Sequence, residues 1–201
     1  MKSFFILPTN VYEGKYDNNS VLDDFVKVLI NKISSNDVEP NDYPKSLAFQ
    51  PNQLPKIFYN FLNESIEEVL FLEKIKYNEF EISHMWINVH VKKWNSHRFH
   101  VHKNSFFSGV YYYDTMKNDS LTFLDRNEKF DSYFHLETRD NKPYGQKKFE
   151  KEVSNGDLLI FRSDLMHGVK TFESDKNKQR TSISFNIDLK GIGSESTKTY
   201  R

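Results

Sequence analysis

His100-Val101-His102 sets two imidazoles two residues apart, and on an extended backbone such residues project to the same side. His167, far along the chain, offers a third imidazole that could complete one face of a metal ion. Three histidines are also a zinc set that keeps a fourth position for water, so the arrangement alone does not select the metal. The competing reading is three surface or hydrogen-bonded histidines, which is how His84, His90, His97 and His135 are taken.

Such a cluster needs rigid elements to hold it. From about residue 81 the hydrophobic period is two, with Met85, Ile87, Val89 and Val91 opposite Trp86, Asn88 and His90. Short aromatic and β-branched runs predict further strands near 98–102, 106–113, 120–124, 147–153, 157–162, 167–173 and 179–189. Lys103-Asn104-Ser105, Lys117-Asn118-Asp119, Asn141-Lys142-Pro143 and Asn155-Gly156-Asp157 are turn signals between several of them. His100 and His102 would share one strand face, with Phe99 and Val101 on the other. The apolar run from Asp157 to Phe161 predicts a buried strand delivering His167 to a fixed point.

Upstream, a short apolar segment at 3–7 precedes helical spacing of Val21, Leu22, Phe25, Val26, Leu29, Ile30 and Ile33, which predicts a helix over 20–34 with Ser20 as its N-cap. The polar stretch Ser35 to Asn52 reads as a loop. A longer helix follows on Ile57, Phe58, Phe61, Leu62, Ile66, Val69, Leu70 and Ile75. Helices first and short strands after predict an α+β fold: a jelly roll or barrel with helices packed outside. The expected organisation is one domain over 1–190, mainly helical over 1–80 and jelly-roll over 81–190, with a disordered tail at 191–201.

Composition narrows the chemistry. The 201 residues carry 28 basic and 28 acidic side chains, which removes the electrostatic footprint of a bulk nucleic-acid or anionic-membrane binder. Cysteine is absent, so any metal must be held by nitrogen and oxygen. No run approaches the roughly 20 apolar residues of a membrane span. A soluble cytoplasmic protein of a bacterium or a phage-infected host is expected, and the aromatic helices could support a homodimer.

Several segments carry a more specific resemblance. They are Trp86-Ile87-Asn88, the run His100 to Tyr112, Leu121-Thr122-Phe123-Leu124-Asp125, Asn155 to Phe161, His167-Gly168-Val169, and Arg180-Thr181-Ser182-Ile183-Ser184-Phe185-Asn186. In this order, over about residues 82–188, the chain resembles the Fe(II)- and 2-oxoglutarate-dependent dioxygenases, particularly a small group common in bacteria and marine phages. The resemblance implies a double-stranded β-helix, a cupin-like jelly roll. It also implies Fe(II) and 2-oxoglutarate as cofactors, and hydroxylation of a small-molecule or peptide substrate with release of succinate and CO₂.

By the same resemblance His100, His102 and His167 would be the metal ligands. The usual first element of the superfamily is His-x-Asp, and His102 stands in the carboxylate's place. A three-histidine site, two histidines with water, or recruitment of Asp125 would each answer that change; three histidines are favoured and Asp125 is the alternative third ligand. Arg180 would clamp the distal carboxylate of 2-oxoglutarate, with Ser182 beside it. Ser108 and Tyr112 share a strand face and could line the cofactor pocket, with Tyr111 and Tyr113 turned away. Trp86, Asn88 and Asn186 are candidate pocket residues. Arg162 and Asp164 replace a proline and a tryptophan expected before His167. Two other classes stay open: a jelly-roll binding module with a structural or vestigial metal, and a cupin-like metalloenzyme that does not use 2-oxoglutarate.

Overall fold

A computed structural model of the chain describes residues 9–35, 45–90, 97–124, 148–169 and 179–191. The expected apolar segment at 3–7, the turn at 141–143, His135, Asp125 and nearly all of the tail lie outside these residues. In chain order the strands are β1 (Val11–Lys15), β2 (Lys45–Phe49), β3 (Glu79–His90), β4 (His97–His100), β5 (Phe107–Asp114), β6 (Ser120–Leu124), β7 (Lys148–Glu152), β8 (Asp157–Arg162), β9 (Met166–Val169) and β10 (Arg180–Lys190). Helices α1 (Asp23–Ser35) and α2 (Lys56–Leu72) precede β3.

The strands form two antiparallel sheets. The larger has the order β1-β8-β5-β10-β3-β2 and the smaller β4-β9-β6-β7. Strand alternation explains the layers. On one face of the large sheet Met85, Ile87, Val89, Phe107, Tyr111, Leu158, Ile160, Ile183, Phe185 and Ile187 join Val26, Leu29, Phe58, Leu62, Ile66 and Leu70 of the helices in one buried cluster. On its other face Val110, Tyr112, Leu159 and Phe161 meet Leu121, Phe123 and Val169 of the small sheet. The result is helices over a sheet over a sheet, and the site lies between the two sheets.

Local chemistry sets the element ends. Asp23 and Asp24 fill the first turn of α1, where the helix dipole favours negative charge. Ser20 is not its N-cap: a 3₁₀ turn over Asn19–Leu22 precedes the helix, and the Ser20 hydroxyl donates to Asn18 Oδ1 at 2.8 Å. Helix α2 stops at Leu72, short of the expected Ile75, because Lys74 takes a left-handed conformation (φ 54°) and the Ile75 N–H turns back to the Leu70 carbonyl.

The N-terminal third is less purely helical than its pattern suggests. Val11–Lys15 pairs with β8, and Lys45–Phe49, inside the expected loop, pairs with β3. Both are five-residue edge strands with few buried side chains; burial alternates along Lys45–Phe49 but not cleanly along Val11–Lys15. The expected lysine- and glutamate-rich strand near 147–153 is the charged edge strand β7.

One glycine is fixed by packing. Gly109 lies opposite Phe185, and a Cβ at Gly109 would stand 2.2 Å from that ring. Replacing Gly109 by alanine should therefore destabilise the fold by about 1–3 kcal/mol, since the ring is buried and cannot swing away. Urea denaturation checks this as a lowered midpoint with an unchanged slope.

Candidate metal centre and cosubstrate pocket

Strand β9 delivers His167 opposite His100 of β4. The close approach of these strands depends on Gly168, whose missing Cβ would meet the His97 carbonyl oxygen at 2.8 Å. His102 arrives differently from the expected strand parity. Strand β4 ends at His100, and His102 lies beyond it, where its backbone N–H donates to the Ser163 carbonyl at 2.9 Å. Asn104, at φ 70°, then turns the chain toward β5.

The three imidazoles converge, each offering a nitrogen within 4.8 Å of the others. His100 Nδ1 faces the Arg98 carbonyl at 2.8 Å and His167 Nδ1 faces the Leu165 carbonyl at 2.8 Å. Each carbonyl can only accept, so Nδ1 is the donor in both rings, which reserves Nε2 as the nitrogen that a metal would take. His102 is instead held by its ring faces, stacked on Trp86 (5.5 Å between centroids, 25°) and on His167 (5.2 Å, 7°).

Nε2 of His100 and Nε2 of His102 are 3.1 Å apart. Two imidazoles bound at about 2.1 Å and at right angles would stand about 3.0 Å apart, so the pair fits adjacent positions on one ion. Burial, then the neighbouring His100, pushes His102 down to about 4. Burial likewise pushes His167 down to about 3, against the opposing effect of its Leu165 bond. Neutral imidazole is the form that ligates metal, and these rings hold it well below neutrality. No carboxylate joins the group among the described residues.

A cleft of about 450 Å³ opens beside the cluster, lined among others by Trp86, Asn88, Ser108, Arg180, Ser182 and Ser184. Arg180 begins β10, opposite His90 of β3, and is 1% exposed. Its Nε donates to Asp119 Oδ2 at 2.7 Å, and its guanidinium carbon sits 5.2 Å from the centre of the Tyr112 ring. Ser182 Oγ lies at 3.5 Å from Nη1.

The family assignment follows from the sequence over these same strands. The family model described as "Putative 2OG-Fe(II) oxygenase" matches residues 84–186, just over half of the chain. The chain belongs to this oxygenase family. Its activity is oxygenation dependent on Fe(II) and 2-oxoglutarate. No curated protein sequence matches the chain.

Among solved structures, a Pseudomonas putida prolyl-4-hydroxylase aligns with a TM-score of 0.61 at 10% identity, covering 91% of this oxygenase and 94% of that chain. HygX from Streptomyces hygroscopicus, with nickel and 2-oxoglutarate bound, aligns with a TM-score of 0.57 at 12% identity over 90% and 82%. The viral collagen prolyl hydroxylase vCPH from Paramecium Bursaria Chlorella virus-1, as a 2-oxoglutarate complex, gives 0.56 at 11% over 89% and 96%. At these identities the likeness is one of fold.

Most of the expected pocket residues of the oxygenase lie together. Ser108, Ser182, Trp86 and Asn88 line the cleft with Arg180, and Asn88 Nδ2 donates to Ser184 Oγ at 2.9 Å. Two lie elsewhere. Tyr112 is fully buried behind the wall, against Arg180, and Asn186 accepts a hydrogen bond from Ser108 Oγ at 3.3 Å without lining the cleft. Tyr111 and Tyr113 do turn to the helical side, where their hydroxyls donate to Asn19 and Asp23. His97 and His90 also line the cleft, outside the group of His100, His102 and His167. Asp119 was missed: its sequence reads only as a turn.

His90 gives this oxygenase a pH dependence. Burial, then Arg180, pushes it down to about 2, against about 6.5 in an unfolded chain. Below pH 6.5 the unfolded state takes up a proton that the folded state refuses, so stability is full above that pH and falls as pH drops toward 2. His90 should contribute a loss of roughly 1.4 kcal/mol per pH unit in that window. Urea denaturation of the metal-free protein at pH 7, 6 and 5 should show a steep decline that His90→Asn makes shallower.

Proposed function

We propose that His100, His102 and His167 hold the Fe(II) of this oxygenase, that Arg180 binds the distal carboxylate of 2-oxoglutarate, and that the product is a hydroxylated small molecule or peptide. The observation that carries this reading is the convergence of three imidazoles beside a cleft that is also lined by a buried arginine. Asp125, the alternative third ligand, lies outside the described residues.

Bound Fe(II) with 2-oxoglutarate supplies oxidative decarboxylation to succinate and CO₂ coupled to oxygenation of a substrate C–H bond. The chain's own work is binding, orientation and exclusion of water. His100 and His167 are oriented by backbone carbonyls, and His102 by Trp86. Ser182 and Arg180 provide donors for a carboxylate, Arg180 as a planar guanidinium suited to bidentate contact. Phe161, packed edge-on to His167 at 4.6 Å, and Leu121 keep the inner end of the cleft apolar. No side chain is needed as a general base.

We read the scaffold as a single jelly-roll domain, a double-stranded β-helix. The support is the order of its eight later strands: β3, β10, β5 and β8 adjoin in one sheet and β4, β9, β6 and β7 in the other, so successive strands alternate between sheets except at the β6-β7 pair. That alternation brings the inner ends of β4, β9 and β10 to one cleft.

Succinate formation from 2-oxoglutarate in the presence of Fe(II) and O₂ tests the proposal without knowledge of the substrate. His167→Ala should reduce it to background. Arg180→Ala should raise KM for 2-oxoglutarate by about tenfold or more, the scale of one charge-assisted contact. An unchanged KM in Arg180→Ala would remove the arginine from the reading.

A further inference from the structure

We infer that Asp119 is a positioning residue that makes the pocket selective for 2-oxo acids ending in a second carboxylate, by locking the Arg180 guanidinium through its Nε edge. This rests on the reading that Arg180 receives that carboxylate.

Both members of the pair are inaccessible: the side chains of Arg180 and Asp119 are 1% and 0% exposed, with 2.7 Å between Nε and Oδ2. The aspartate is itself immobilised. Its N–H donates to the Met116 carbonyl at 3.2 Å, its carbonyl accepts from Val153 N–H at 3.0 Å, and Asn118 before it takes a left-handed φ of 61°. A buried ion pair is seldom worth more to stability than apolar residues of the same size, which directs attention to what the pair orients.

An arginine side chain has several free torsions, and two contacts remove them here. Asp119 fixes the Nε edge and the Tyr112 ring packs against the guanidinium plane at 5.2 Å. A carboxylate entering the cleft then meets a guanidinium of fixed orientation, on the side marked by Ser182 Oγ. Ligand preorganisation of this kind lowers the ordering cost of binding.

The test measures dissociation constants of 2-oxoglutarate and of the monocarboxylic 2-oxobutanoate on protein loaded with Co(II), which binds without turnover. Asp119→Ala should weaken 2-oxoglutarate by about tenfold or more while 2-oxobutanoate stays within about threefold, collapsing the preference between them. Asp119→Asn, which keeps an acceptor for Nε, should retain more of that preference. Equal weakening of both acids would mean a general structural role and overturn the inference. If Arg180→Ala also leaves the preference intact, the cosubstrate reading itself fails; if Arg180→Ala collapses it and Asp119→Ala does not, only the role of Asp119 fails. Should Asp119→Ala not fold, the wild-type protein loaded with Zn(II) decides: the Arg180 Nε–H proton should remain slowly exchanging when 2-oxoglutarate saturates the site, and loss of that protection would contradict a fixed Nε lock.

Discussion

The pairing of β4 with β9, which sets His100 against His167, is the contact on which the site rests. It joins a short strand to the small sheet and, through the missing Cβ of Gly168, brings two backbones close enough for their imidazoles to converge. The same geometry leaves each ring a neighbouring backbone carbonyl, at Arg98 and at Leu165, so the tautomers are fixed before any ion arrives. His102 is the dependent member. Its ring is placed by stacking between Trp86 and His167, and its backbone by Ser163.

Burying polar groups between two sheets is costly unless each has a partner. The space is accordingly divided. Val110, Tyr112, Leu121, Phe123, Leu159 and Phe161 form an apolar cluster. The polar groups beside it bond in pairs, Asn88 with Ser184, Ser108 with Ser163 and Arg180 with Asp119. The helices perform a separate task on the far face of the large sheet, where Phe58 packs on Tyr111 at 4.7 Å and Phe185 lies across Gly109. That packing holds β3, β5 and β10 rigid, and these strands carry most of the polar wall.

The legible features of the sequence were those with a local pattern. The alternation of β3 was visible because its two faces meet different surroundings, helices on one side and the cleft on the other. Arg180, Ser182 and Ser184 share a face of β10 in the same way, and all three line the cleft. Edge strands β1 and β2 were hidden, since five half-exposed residues are too few for a period to stand out. His102 was expected on a strand and instead reaches the cluster from a loop, a placement fixed by Ser163, which no local rule connects to it. Asp119 was illegible for a related cause: beside Asn118 it has the composition of a turn, and its partner Arg180 is 61 residues away in sequence.

In the proposed centre three imidazoles, with His102 in the place of a carboxylate, hold the iron. Anaerobic titration of Fe(II) into the folded protein with 2-oxoglutarate present, followed by the visible metal-to-ligand charge-transfer band, probes that ligand set. A three-histidine centre should give a band that saturates at one equivalent of Fe(II) and is lost or strongly weakened in His102→Ala. A band absent from the wild-type protein, or unchanged in His102→Ala, would rule it out.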